Sequence, residues 1–134
     1  MKKGNRLFFL GVFNGFILTF AFLLFLVRMD EEFQQLLKAL GLKPGCIPTI
    51  LNYYESTDTV SLTQKLHDIR AFQGILSPMK EVEGGWIPDF SSRYFTEDFP
   101  YGMRFIVETA HEHDVEIPKI EDVYQWGQKV SKTF

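Results

Sequence analysis

A single cysteine, Cys46, leaves the chain without an internal disulfide, a redox thiol pair or a thiolate zinc site. It stands in "KPGCIPT" and reads as an ordinary reduced thiol. Histidine is almost as scarce. His111 and His113, in "HEHD", are two apart, a spacing that sends them to different sides of a helix, and His67 stands alone, so no metal site is expected. Solvated histidines at a helix end are the plainer account. A glycine-rich phosphate loop is missing too: "GVFNG" lies inside an apolar run and "EGG" precedes no strand-to-helix transition. There is no excess of positive charge. The formal net charge is −3, and residues 1–28 carry four of the fourteen Lys and Arg but none of the 17 Asp and Glu. The remaining ten cations against 17 acids give −7, which argues against nucleic acid as a partner. Internal repeats, low-complexity tracts and a convincing strand pattern are also lacking.

What the sequence does have is apolar length at one end. Residues 7–27, "LFFLGVFNGFILTFAFLLFLV", run without a charge behind Lys2, Lys3 and Arg6. About 20 apolar residues suffice to span a bilayer as a helix, and the basic flank would keep the N-terminus cytoplasmic. No small-x-small site precedes "RMDEE", so a cleaved signal peptide fits less well than a single-pass signal anchor. The competing account is a fragment or mis-started reading frame, with the real domain beginning at Met29. Both accounts divide the chain into residues 1–28 and a domain over 29–134.

The remainder reads as a small all-α domain of about five helices. Phe33, Leu36, Leu37 and Leu40 fall at helical spacing between Asp30, placed to cap, and Gly41, placed to terminate. Pro48 opens a short helix through "TILNYY", and Leu62, Leu66 and Ile69 mark a third that exits through Gly74 and Pro78. Residues 79–92 read as a loop whose Trp86 and Phe90 need apolar cover. Met103, Ile106, Val107 and Ala110 give a fourth helix with Pro100 in its first turn, and Pro118 starts a fifth with Ile120, Val123, Tyr124 and Val130 inward. These patterns close among themselves, so residues 30–130 are expected to fold whether or not 1–28 are present.

The chemistry concentrates in "DFSSRYFTEDFPYGMRF", residues 89–105. Arg93 offers a planar fork for a carboxylate, and Asp98, five residues on, stands where a helix N-terminus would keep it ionised. A plainer account has Thr96, Glu97 and Asp98 capping the helix while Arg93 pairs with one of them.

Within that stretch, "SRYFTEDFPYG", residues 92–102, resembles the signature of the helical C-terminal domain of the octopine/nopaline (opine) dehydrogenases: Arg-Tyr, Glu-Asp and Pro-Tyr-Gly recur there at this spacing. "NYYES", "AFQGILSP", "GWIPDF" and "VEIPKIEDVYQW" extend the similarity more weakly, over roughly Asp30 to Val130. The resemblance implies an oxidoreductase that couples an amino acid to an α-keto acid and reduces the imine with NAD or NADP as cofactor, at a site between two domains. Carried over by the motif, Arg93 would bind a substrate carboxylate and Asp98 would hydrogen-bond a catalytic histidine. Tyr94 and Glu97 would be framework, and Tyr101 and Gly102 would shape the helix opening, Gly102 by allowing close packing.

This sequence departs from the family pattern upstream: the Rossmann domain and the segment bearing that histidine have no counterpart, and His67 lies in the wrong place to replace it. The expectation is thus the substrate-binding half of such an enzyme, from a truncated or split gene. It would be inactive alone, cytoplasmic, and a partner for a separate Rossmann-domain chain. The alternative is a membrane-anchored, non-catalytic interaction module.

Overall fold

The computed structural model describes the backbone of residues 4–131 apart from residue 74, and the side chains of residues 19–130. Helix α1 spans Gly4–Ala39 without a break, so the helix expected to open at Asp30 is the last quarter of a longer one. Neither glycine nor proline falls between Ala21 and Leu40 to interrupt it, and an Arg28–Glu31 ion pair at 2.7 Å bridges the turn where the apolar run meets the acidic segment. Gly41 ends the helix as expected: at φ +71° it lets Leu42 N–H bond back to the Leu37 carbonyl at 3.1 Å.

Because Asp30 lies inside α1, it cannot cap it. Its carboxylate instead accepts the Ile50 N–H at 2.9 Å, at the start of α2, Ile50–Tyr53, where Thr49 Oγ1 also accepts the Asn52 N–H at 3.1 Å. Helix α3, Thr59–Asp68, opens with a reciprocal cap in which Asp58 accepts the Ser61 N–H at 2.8 Å and Ser61 Oγ accepts the Asp58 N–H at 3.1 Å. A single 3-10 turn follows at Arg70–Phe72.

The expected loop at 79–92 contains a hairpin, which corrects the all-α reading to a mostly helical one. Strand β1, Met79–Val82, pairs antiparallel with β2, Gly85–Pro88, with Met79 opposite Pro88 and Val82 opposite Gly85. Gly84 at φ +90° turns the chain. All of β1 and the first half of β2 are exposed, so neither strand needs the alternation of apolar and polar residues by which a half-buried strand is recognised.

A wide π-type helix over Tyr94–Met103 then runs into α4, Arg104–Glu112, and Pro118 opens α5, Pro118–Ser131. Two buried clusters hold these elements to α1. Leu23 and Val27, from the end of the apolar run, enclose Leu62 of α3 together with Leu26, Ile50, Leu51, Tyr54 and Leu66. Nine residues beyond Val27, Leu36 packs with Val107 and Ala110 of α4 and with Ile117 and Ile120, against Met29, Phe33, Met103, Ile106 and Tyr124. The apolar side expected for α4 is thus the side that meets α1, and from the side expected for α5 Ile120 and Tyr124 join the same cluster. Most of the run at 7–27 lies outside the residues whose side chains are described; among the described residues no helix is long and apolar enough to cross a membrane.

One long-range cap ties α1 to α5. Pro118 has no N–H, and the next two donors, Lys119 N and Ile120 N, lie 2.9 and 3.0 Å from the Glu32 carboxylate oxygens. Removing this acceptor with Glu32→Ala is expected to cost about 1–2 kcal/mol, the upper range for a lost N-cap, and Glu32→Gln less because an amide oxygen still accepts. Urea unfolding checks this, and an unchanged midpoint for Glu32→Ala would refute it.

Candidate functional site

The two residues singled out by the sequence bracket the first turn of the wide helix. Arg93 takes helical dihedrals, φ −55° and ψ −28°, immediately ahead of Tyr94. Its side chain is 75 % exposed, and its guanidinium lies 3.6 Å from the Glu97 carboxylate, four residues on. Such an exposed pair contributes about 0.3–0.5 kcal/mol, too little to compete with a bidentate ligand carboxylate. The Asp98 side chain is exposed and makes no hydrogen bond or ion pair among the described residues. The structure therefore does not join Arg93 to Asp98 directly, and the capping account fails for Asp98, which sits within the helix that Tyr94 opens. Arg93 does pair with Glu97, as that account proposes.

The segment ahead of Arg93 is tied down. Asp89 Oδ1 lies 2.8 Å from Lys80 Nζ of β1 and accepts the Ser91 hydroxyl at 2.6 Å and the Ser91 N–H at 3.0 Å. The Lys80 ammonium first, then Ser91, hold the Asp89 carboxyl down to about 2, so it stays charged through the neutral range. The hairpin is thereby fastened to the chain just before the wide helix.

Behind the helix lies an aromatic cluster that sequence reasoning missed. Phe95 and Phe99 stack at 5.5 Å and 4° between planes; Phe90 meets Phe95 edge-on at 4.9 Å, and Trp126 of α5 lies 5.9 and 6.2 Å from the two stacked rings. The four-residue interval between Phe95 and Phe99, and a glycine beside Trp126, were the available signals. Phe90 finds cover here, whereas Trp86 stays 63 % exposed. Close packing falls to Gly127, not Gly102: a Cβ at Gly127 would lie 2.0 Å from the Phe99 ring, whereas one at the exposed Gly102 would have nothing within 4 Å. Tyr101 is likewise exposed and does not shape the helix opening by packing. On the near side of the cluster, Phe95, Phe99, Pro100, Arg104, Glu108, Tyr124 and Gln128 line an open cavity of about 490 Å³.

The histidines converge nowhere. His67 and His113 are exposed, and His111 pairs with Glu121 across the α4–α5 corner. No group of three or more His, Cys, Asp or Glu that could hold a metal occurs among the described residues. Nor do those residues fit a dinucleotide: the sheet among them is a two-stranded hairpin, with no parallel strand leading through glycines to a helix N-terminus.

Residues 19–131 match the family model of the NAD/NADP octopine/nopaline dehydrogenase alpha-helical domain. The chain belongs to this family. Octopine dehydrogenase of Pecten maximus is 34 % identical over 87 residues, which cover 63 % of this chain and 22 % of that protein. The structure of octopine dehydrogenase in complex with NADH and agmatine superposes with a TM-score of 0.68 at 26 % identity, covering 84 % of this chain and 30 % of that one. The octopine dehydrogenase structure with NADH and pyruvate gives 0.66 at 27 % identity, over 83 % and 28 %. This chain thus spans about a fifth of the length of the curated Pecten relative.

Proposed function

We propose that this opine dehydrogenase helical domain forms the substrate-binding side of an oxidoreductase that joins an amino acid to an α-keto acid. NAD or NADP would be held by a dinucleotide-binding domain outside the described residues. One observation carries the reading: the Arg93–Asp98 signature lies, solvent-facing, in a domain whose match to the family extends over residues 19–131. Arg93 would present its fork to the keto-acid carboxylate, displacing the weak Glu97 pair. The Asp98 carboxylate would accept the N–H of a histidine from outside this segment, fixing its tautomer and supporting its protonated form. The chain's own residues supply binding and orientation here, and the hydride belongs to the cofactor. The membrane-anchored module is the weaker reading, because Leu23 and Val27 of the apolar run are committed to the protein core.

A chimera tests the assignment. Residues 19–131 are grafted onto the remainder of the Pecten octopine dehydrogenase and assayed with pyruvate and L-arginine. Arg93→Lys keeps the charge but loses the fork, so the KM for the keto acid should rise at least about tenfold. Asp98→Asn should lower kcat by a similar factor with the melting temperature within a few degrees of the parent. Parental turnover for Asp98→Asn in an active chimera would remove Asp98 from the site.

A further inference from the structure

The wide helix raises a question that the catalytic reading leaves unanswered: why residues 94–103 abandon the ordinary α register. The Arg104 N–H reaches the Phe99 carbonyl, five residues back, and Pro100 sits in the middle of the segment. Proline lacks the N–H that an α-helix would give to the Thr96 carbonyl, and its ring runs into that same carbonyl. Widening the turn by nearly one residue moves the carbonyl from beneath the ring, so proline penalises the α register more than the π one. Phe99 adds a second restraint, since its ring lies against the α5 backbone at Gly127 and stacks on Phe95.

The register decides where Arg93 and Asp98 point. In an α-helix residues five apart diverge by about 140° around the axis. With about 4.4 residues per turn the same pair diverges by only about 50°, and the two side chains share a face. Arg93 already has helical dihedrals, so the comparison extends to it. We propose that Pro100 is a positioning residue: it holds the 94–103 segment in the wide register that brings Arg93 and Asp98 to one face. The inference rests on the reading of that pair given above. It adds that Pro100, which supplies no group to the chemistry, sets the relative direction of the two side chains that do, and wide helical turns are frequent at functional sites.

An engineered zinc clamp in the full chain measures the register without reference to catalysis. Arg93→His with Asp98→His should bind zinc when positions 93 and 98 share a face, read as a zinc-dependent rise in melting temperature over the parent chain. Adding Pro100→Ala should weaken zinc binding at least about fivefold while leaving the metal-free melting temperature equal or higher. A second clamp, Arg93→His with Glu97→His, spans four residues, which are neighbours in both registers, and should bind zinc with or without Pro100. Equal zinc affinity of the 93/98 clamp with and without Pro100→Ala overturns the inference. In the chimera described above, Pro100→Ala should raise the keto-acid KM severalfold at unchanged stability. A KM unaffected by Pro100→Ala but raised by Arg93→Lys would also overturn it. If Arg93→Lys itself leaves the KM unchanged, the reading of the pair fails whatever the zinc clamp shows.

Discussion

Gly127→Ala is expected to lower the melting temperature by about 5–10 °C, although alanine is the better helix former. An added Cβ would lie 2.0 Å from Phe99 Cδ1 and Cε1 and 2.8 Å from Cζ, distances at which something must shift. The ring has little room to yield. It is stacked on Phe95 at 5.5 Å and flanked by Trp126 at 6.2 Å, so moving it disturbs both aromatic partners and the helix that carries Arg93 and Asp98. Alanine gains at most about 1 kcal/mol over glycine in a helix interior, whereas overpacking costs about 1–3 kcal/mol and occasionally more. The clash should therefore win. Gly102→Ala is the matched control: its Cβ would meet nothing within 4 Å, so it should be neutral or slightly stabilising. Thermal melts followed by near-ultraviolet circular dichroism, which reports the aromatic cluster, separate the two. A Gly127→Ala chain melting at or above the parent would show that Phe99 can step aside freely.

The sequence made the helical parts legible wherever one face is buried. Val107 and Ala110, like Leu62 and Ile120, fall at helical spacing because each meets α1, and the stop at Gly41 and the start at Pro118 follow from backbone dihedrals that few other residues permit. Legibility failed where the structure departs from those causes. The hairpin at 79–88 buries little and so leaves no alternation to read. The wide helix begins at Tyr94, six residues ahead of the proline taken to mark its first turn, because a widened turn tolerates an internal proline that an α-helix would not. Asp30 and Glu32 look like local capping acids in sequence, yet each caps a helix elsewhere in the chain, a relation no local pattern encodes. For the site, the residue types at 93 and 98 were legible as chemistry, but their orientation depends on the register and on Phe99 against Gly127, which are tertiary facts.

The packing of α1 changes what truncation should do. The amphipathic patterns after Met29 suggest a unit that closes without residues 1–28, but Leu62, wholly buried, has Leu23 and Val27 as its buried partners, with Leu26 beside them. Starting the chain at Met29 strips that cover from α2 and α3. Fully burying a leucine or valine side chain contributes about 1.5–3 kcal/mol, so losing Leu23 and Val27 alone removes about 3–6 kcal/mol from a total stability of about 5–15 kcal/mol. At a few degrees per kcal/mol, the Met29 chain should melt at least about 10 °C below the parent and lose its sharp transition first in the α2–α3 region. Starting at residue 19 instead keeps every described member of both clusters and should leave the melt near the parent. Because exposed Leu62 could drive the Met29 chain into aggregates, the full-length Leu23→Ala with Val27→Ala pair provides a second measurement, with an expected loss of similar size from cavity formation. Amide hydrogen exchange should then show α3 losing protection before α4 and α5, whose cluster around Leu36 is intact. A Met29 chain with a cooperative melt within a few degrees of the parent would mean that α2 and α3 find other cover, and that the end of the apolar run is dispensable to this domain.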